Sequence, residues 1–149
     1  MAEVAYPLMI YYDASCPICE REMRAIKAYD TAQRLRLIDC SPTDFKGVDD
    51  VSRAEMWDAI HARDAHGRWL KGVAVFIAAY QAVQLPLIAE LYRHRWLRPV
   101  WERIYPWIAR HRQLLSQLGL HHLIRLILFL AARRRGANAA CDARCEELR

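Results

Sequence analysis

The residues with the clearest chemical potential are two cysteines, Cys16 and Cys19, which are separated by Pro17 and Ile18. Disulfide exchange needs a thiolate that attacks and a second thiol that resolves the mixed disulfide. Unpaired amides at a helix start stabilise an N-terminal thiolate and lower its pKa from about 8.5, in known cases by about one to five units. The spacing therefore predicts Cys16 as an exposed nucleophile and Cys19, on the inward helix face, as a less exposed resolving thiol.

Asp13 stands three residues before Cys16, at the end of an apolar run. Its carboxylate could accept a proton from Cys19 during resolution, or it could bond the helix-start amides and compete with the Cys16 thiolate. A third interpretation is a simple cap or turn residue. These three roles stay open, and the candidate catalytic set is Cys16, Cys19 and Asp13.

The elements that must position these side chains form a strand, a tight turn and a helix. The run from Pro7 to Tyr12 is rich in strand formers, and Pro17 suits the first position of a helix that extends to about Tyr29. Further along, the pattern predicts a strand, a turn-rich loop, a short helix, a hairpin and four helices. The strand is predicted at Leu35–Cys40, and Ser52 with Glu55 forms a capping box at the start of the short helix. The hairpin strands are predicted at Ala59–Asp64 and Arg68–Lys71, around Gly67. The four helices are predicted at Val73–Val83, Leu87–His94, Val100–Arg112 and about Leu120–Arg134.

This alternation predicts an α/β fold with a thioredoxin-like mixed sheet of about four strands and additional C-terminal helices. We divide the chain into a redox domain with a helical part at residues 1–117, an apolar and basic helix at 118–135, and a loosely ordered tail at 136–149. The longest apolar run, Leu123–Ala132, is interrupted by Arg125 and is shorter than a membrane-spanning helix needs. The first twelve residues lack a basic cluster, so we expect no signal peptide.

The composition of the 149 residues, 54% hydrophobic and 26% charged, is typical of a globular domain that builds its core without disulfide staples. We expect a cytoplasmic protein, because in a reducing compartment a Cys-x-x-Cys pair is more often catalytic or metal-binding than structural. The net charge of +5 does not by itself indicate nucleic acid, and we expect none as a partner. We also expect no cofactor and no bound metal.

Two other functions compete with an oxidoreductase. The first is a redox-inert interaction module whose C-terminal helix, apolar and followed by Arg133–Arg135, docks to a membrane surface or a protein partner. The second is a zinc module, since Cys-x-x-Cys is half of a zinc site and further ligands exist in the chain. Those candidates are His61, His66, His121, His122, Cys141 and Cys145.

Three residues near the end of the third of these four helices, Tyr105, Arg110 and Arg112, could form a second cluster that favours a thiolate or an anionic substrate such as glutathione. We favour instead a helix that packs by its aromatic face and exposes its arginines to water. The tail cysteines, Cys141 and Cys145, are interpreted as incidental thiols, and Cys40 as a small apolar residue at a strand end.

Four segments of the sequence resemble the DCC family of predicted thiol-disulfide oxidoreductases. They are YYDASCPICEREM with its Asp-x-x-Cys-x-x-Cys opening, Arg63–Gly67, Lys71–Phe76 and Tyr105–Arg112, which together span roughly residues 8–115. The resemblance implies a thioredoxin-like fold and a redox role resting on Asp13, Cys16 and Cys19. The resemblance does not establish a substrate, and we expect as partner a disulfide-containing protein or a small-molecule thiol such as glutathione.

The sequence departs from typical thioredoxins at one functional position. Those proteins place a cis-proline before the third strand, where it contacts the active cysteines. Here no proline lies between Pro42 and Pro86. We therefore expect a redox pair that does not bind peptide substrates by that device.

Overall fold

The computed structural model describes residues 4–117 of the chain. The helix at 118–135 and the tail at 136–149, with their histidines and cysteines, lie outside the described residues. The strands are β1 Leu8–Tyr12, β2 Leu35–Asp39, β3 Gly47–Val48, β4 Val51–Ser52, β5 His61–Arg63 and β6 Trp69–Lys71. The helices are α1 Pro17–Ala28, α2 Arg53–Asp58, α3 Val73–Ala82, α4 Pro86–Arg93 and α5 Arg98–Gln117.

A four-stranded mixed sheet in the order β2-β1-β5-β6 lies at the centre of the fold. The neighbours β1 and β2 run parallel, with Leu8 opposite Leu35, while β5 runs antiparallel to both β1 and β6. Helix α1 makes the crossover that a parallel pair needs. This is the predicted thioredoxin-like α/β arrangement, with Cys16 at the carboxyl end of the central strand β1.

The alternation of side chains along β1 builds a core on each face of the sheet. Leu8 and Ile10 are fully buried in the larger core, against α1, α3 and α4. Tyr11 points to the opposite face, where it packs with Cys40 and Met56 of a smaller core. A strand that is buried on both faces explains why its sequence is a continuous apolar run.

The β5–β6 hairpin forms around the predicted turn. Gly67 has a φ of +81°, and the buried Asp64 carboxylate accepts backbone hydrogen bonds from His66 and Arg68 at 2.9 Å. These bonds and the Arg68 guanidinium outweigh burial and lower the pKa of Asp64 to about 2. The turn is therefore stabilised by the Asp64 hydrogen bonds and by the positive φ of Gly67, both of which involve residues close together in the sequence.

The segment before α2 differs from the prediction in one respect. Residues 47–52 form the short antiparallel ribbon β3–β4, where the sequence predicted only a turn-rich loop. The ribbon leads into Ser52, whose side chain accepts from the Glu55 backbone amide while the Glu55 carboxylate accepts from the Ser52 amide. The capping box is thus confirmed, and α2 is the short helix that it predicted.

Helices α3 and α4 contribute to the larger core, and α5 reaches the redox turn through Arg112. Seven residues of α3 are buried, which fits a helix that is apolar on every side. Helix α5 is longer than predicted and continues through Pro106. None of the helices within residues 4–117 is long and apolar enough to cross a membrane.

Candidate active site

The junction between β1 and α1 positions both cysteines. Pro17 is the first residue of α1, so Cys16 is its N-cap residue and Cys19 lies in its first turn. The two sulfur atoms are 2.7 Å apart, with the Cys19 S–H directed at Cys16 Sγ. The pair can therefore form a disulfide with only a small rotation of its side chains.

The hydrogen bond between the sulfurs divides the proton unequally. Donation from the Cys19 side chain, opposed by burial and assisted by the Cys19 backbone amide and Arg112, lowers the pKa of Cys16 to about 7. The same bond, together with burial, raises the pKa of Cys19 far above its ordinary range. At pH 7 Cys16 is therefore about half ionised, while Cys19 keeps its proton.

The exposure of the two thiols is the reverse of the prediction. Cys16 is fully buried, with 0% of its surface exposed, whereas Cys19 is half-buried. The N-cap position places Cys16 beneath the exposed residues Ser15 and Pro17, and the face of α1 that carries Cys19 borders a cavity. The prediction of an acidic Cys16 agrees with this structure, but the prediction that Cys16 is the more accessible sulfur is wrong.

Asp13 organises the turn without bonding either sulfur. Its Oδ1 accepts hydrogen bonds from the Ser15 amide at 3.0 Å and from the Ser15 hydroxyl. Its Oδ2 accepts from Arg112 Nη2 at 2.8 Å. These hydrogen bonds go to Ser15 and Arg112 and not to the amides of α1, as in a turn residue, while a role for Asp13 as proton acceptor from Cys19 stays a prediction.

Arg112 joins the site from α5, whereas the favoured interpretation of the sequence had the arginines of this helix exposed to water. Its guanidinium bonds Asp13 and also donates to the Trp57 carbonyl, and its side chain is only 14% exposed. Arg110, two residues earlier, is exposed as predicted. A shift of two residues turns a side chain by about 200° around a helix, so one arginine reaches the site and the other reaches water.

Tyr105 fixes the approach of α5 to the sheet. Its hydroxyl accepts a hydrogen bond from the Ile60 amide at 2.9 Å, directly before β5. Its ring lies against Gly72, where a Cβ atom would come within 3.2 Å of Cε1 and where φ is +60°. Gly72 is therefore needed both for the backbone bend and for the close contact, and the contact anchors α5 about two helical turns before Arg112.

The comparison with protein families agrees with this geometry. The model of the family described as DCC1-like thiol-disulfide oxidoreductase matches residues 10–118, which is more than half of the chain. The chain belongs to the DCC1-like thiol-disulfide oxidoreductase family. No curated protein and no solved structure gives a significant match.

Membership makes the protein an enzyme of thiol–disulfide exchange, and the matched range contains the cysteine pair, Asp13, Tyr105 and Arg112. It also confirms the family resemblance that the four sequence segments indicated. The matched range ends beside the last residue that the structure describes, Gln117.

A cavity beside Cys19 is the part of the oxidoreductase site that the sequence did not indicate. It has a volume of about 330 Å³ and lies between α1, α3, α4 and α5. Glu22, one helical turn after Cys19, lines it and accepts a hydrogen bond from the Tyr80 hydroxyl at 3.3 Å. Burial raises the pKa of Glu22 to about 7, with the Tyr80 bond opposing and the Cys16 charge assisting. The one sequence signal for this carboxylate is the three-residue spacing of Cys19 and Glu22, which places both side chains on one face of α1.

Cys40 of the oxidoreductase behaves as the small buried residue that was predicted. It is 0% exposed, its Sγ lies 3.1 Å from the Tyr12 carbonyl oxygen, and burial raises its pKa to about 11. A protonated thiol of this kind is unreactive toward disulfides.

The zinc hypothesis gains no support from residues 4–117, where no group of three His, Cys, Asp or Glu side chains has the geometry to hold a metal. Of the two candidate histidines in this part of the chain, His61 is buried with Nδ1 2.9 Å from the Ala59 carbonyl oxygen.

The place where typical thioredoxins carry their cis-proline, before β5, is occupied by Ala59 and Ile60. Within residues 4–117 the cis peptide bond is Tyr6–Pro7, which lies at the end of β1 opposite to the redox turn. The expected departure from typical thioredoxins is thus present at this position.

Proposed function

We propose that this oxidoreductase works through Cys16 as the nucleophile and Cys19 as the resolving thiol. The observation that carries this assignment is the 2.7 Å contact in which the Cys19 S–H donates a hydrogen bond to Cys16 Sγ, because it stabilises one thiolate and keeps the second thiol in reach of it. Arg112 also lowers the pKa of Cys16, and its ion pair with Asp13 neutralises the carboxylate nearest to the turn.

The reaction consists of two exchanges. The Cys16 thiolate attacks a substrate disulfide, forms a mixed disulfide and releases the first substrate thiolate, which takes a proton from water. Cys19 then loses its proton and attacks Cys16 Sγ, which forms the Cys16–Cys19 disulfide and releases the second thiolate. Substrate gains two electrons, and the enzyme pair loses two. A cellular thiol of the glutathione class returns the pair to the dithiol.

Burial of Cys16 adds a condition to the first step. Ser15 and Pro17 are exposed and lie on either side of Cys16 in the chain, so the turn must shift before a substrate sulfur reaches Cys16 in line. We assign Asp13 as a positioning residue for this turn, through Ser15 and Arg112. The substrate class is a protein or small molecule that contains a disulfide, and the cytoplasm remains the compartment that we predict, because its reducing poise maintains the dithiol form.

Trapping the mixed disulfide tests the order of attack. A reduced Cys19→Ser variant should accumulate a mixed disulfide on Cys16 when it is mixed with a small disulfide, detected by intact mass and peptide mapping. The Cys16→Ser variant should accumulate none at the same pH. Cys40→Ser is the matched control, since it removes another buried thiol and should react as the wild type does. Accumulation on Cys19 of the Cys16→Ser variant, at the faster rate, would reverse the assignment.

A redox-inert docking module is the alternative from another functional class. It depends on the helix at 118–135, outside the described residues, and family membership favours the enzyme. This alternative predicts that the wild-type protein does not react with the small disulfide and that the Cys19→Ser variant forms no mixed disulfide.

A further inference from the structure

The cavity beside Cys19 has walls that are chiefly apolar. Aromatic side chains from three helices form one side, with Phe76 and Tyr92 stacked at 6.0 Å between ring centroids and Trp101 5.0 Å from Tyr92. Ile88 and Ile108 continue the apolar surface. Cys19 lines the same cavity, and its sulfur lies 2.7 Å from that of Cys16, so a molecule in the cavity lies beside the redox pair.

Several polar groups in this wall are already hydrogen-bonded within the protein. The Tyr105 hydroxyl bonds the Ile60 amide, and the Tyr80 hydroxyl bonds Glu22. Arg112 is the basic residue among the described residues that line the cavity, and its guanidinium is held by Asp13 and the Trp57 carbonyl. A ligand with carboxylates would therefore lose its water and meet two protein carboxylates instead of an available cation.

The size of the cavity suits a small ring system. A cavity of about 150 Å³ lined by apolar side chains binds benzene, and ligand pockets begin at about 300 Å³. The cavity volume of about 330 Å³ therefore accommodates one aromatic ring, or two small ones, together with the sulfur to which it is attached.

We propose that this cavity binds an uncharged apolar group, an aromatic ring in particular, carried on the sulfur of the substrate disulfide. The inference rests on the proposed function and specifies its substrate class. The group enters the cavity while its sulfur becomes bonded to Cys16, and it leaves as a free thiol when Cys19 closes the Cys16–Cys19 disulfide. Glutathione, with its carboxylates, then acts as the external reductant and is a poor occupant of the cavity.

A series of reagents with one common leaving group tests the proposal. The full-length reduced protein is mixed with benzyl, methyl and glutathionyl 2-pyridyl disulfides, and release of 2-thiopyridone is followed by absorbance. Each rate is divided by that of dithiothreitol with the same reagent, which removes intrinsic reactivity. We expect the normalised benzyl rate to exceed the methyl rate at least tenfold, and the glutathionyl rate to be the lowest.

Two substitutions at Ile108 locate the effect in the cavity. Ile108→Phe reduces the space and should lower the benzyl-to-methyl ratio at least fivefold, while Ile108→Ala enlarges it and should raise the rate of a naphthylmethyl reagent relative to benzyl. Leu114→Trp is the control on the same helix, because Leu114 is 60% exposed and lines a separate groove. It should keep the wild-type ratio.

The outcomes separate the two proposals. Equal normalised rates for benzyl and methyl, or a fastest glutathionyl reagent, would overturn the apolar site and leave the exchange chemistry standing. A benzyl preference that survives both Ile108 substitutions would place the binding site elsewhere and also overturn it. Wild-type rates no greater than those of the Cys16→Ser variant with every reagent would overturn the proposed function itself.

Discussion

The ion pair between Asp13 and Arg112 gives the most demanding test of how the site is built. Replacing Arg112 with Met keeps an unbranched apolar stem and removes the guanidinium. Asp13, whose side chain is 2% exposed, then loses its partner at 2.8 Å, and the Trp57 carbonyl loses a donor. Two unit charges about 4 Å apart interact by about 4 kcal/mol at an effective dielectric constant of 20, and breaking a buried pair costs about 3–5 kcal/mol.

Because Arg112 remains 14% exposed, we expect Arg112→Met to lower the free energy of unfolding by about 3 kcal/mol. The Cys16 pKa should rise, since Arg112 lowers it and the unpaired Asp13 charge raises it. A rise of about one unit corresponds to about 1.4 kcal/mol. In the double variant Asp13→Asn/Arg112→Met, Asn retains an acceptor for Ser15 and carries no charge. It should recover most of the lost stability and return the Cys16 pKa toward its wild-type value.

The assays are urea unfolding followed by circular dichroism and the pH dependence of Cys16 alkylation. Arg110→Met is the matched control, because Arg110 is exposed on the same helix and its loss should change stability by less than about 0.5 kcal/mol. If Arg112→Met is as stable as this control and its Cys16 pKa is unchanged, the pair does not organise the site. A double variant that is no more stable than Arg112→Met would show that the cost does not come from the stranded charge.

Three other properties follow from the site. Alkylation of wild-type Cys16 should increase with pH through a midpoint near 7, and Cys19→Ala should move the midpoint upward by removing the S–H donor; a midpoint near 8.5 in both proteins contradicts this. The folded-state pKa of Glu22, about 7, lies above its unfolded value, so burial of the protonated carboxyl stabilises the fold only at low pH. The unfolding free energy of wild type minus that of Glu22→Gln should therefore fall by about 1–2 kcal/mol as pH rises from about 4.5 to 7, after allowance for partial exposure. If this difference does not change with pH, Glu22 is not buried as the structure shows. Gly72→Ala should lower the free energy of urea unfolding by about 1–3 kcal/mol because of the positive φ of Gly72 and its contact with Tyr105. Tyr105→Phe should lower it by about 1–3 kcal/mol because the Ile60 amide loses its acceptor. Wild-type stability in either variant would contradict the packing of α5 on the sheet.

The features that sequence predicted well are those set by neighbouring residues. The Ser52–Glu55 capping box, the Pro17 helix start and the positive φ of Gly67 each depend on a few adjacent side chains and backbone groups. Local rules therefore located the cysteine pair at its strand-to-helix junction and, with the alternation of elements, gave the α/β class. The two-residue strands of the β3–β4 ribbon are too short for such a periodic signal, which explains why they were missed.

The features that sequence missed depend on contacts between distant segments. Asp13 and Arg112 are 99 residues apart in the chain, and nothing local distinguishes Arg112 from the exposed Arg110. The same limit produced the error over exposure. An inward helix face was equated with burial, whereas the inward face of α1 borders a cavity whose other walls come from three later helices.

The two sulfurs divide acidity and access between them. Cys16 carries the charge but has no exposed surface, while Cys19 borders the cavity but retains its proton. A resting pair of this kind is protected, because oxidants and electrophiles react with accessible thiolates. In the proposed mechanism, exchange is therefore coupled to movement of the Ser15–Pro17 turn, which Asp13 ties to Arg112. Arg112, which lowers the Cys16 pKa, is thus also linked through Asp13 to the turn that contains Cys16.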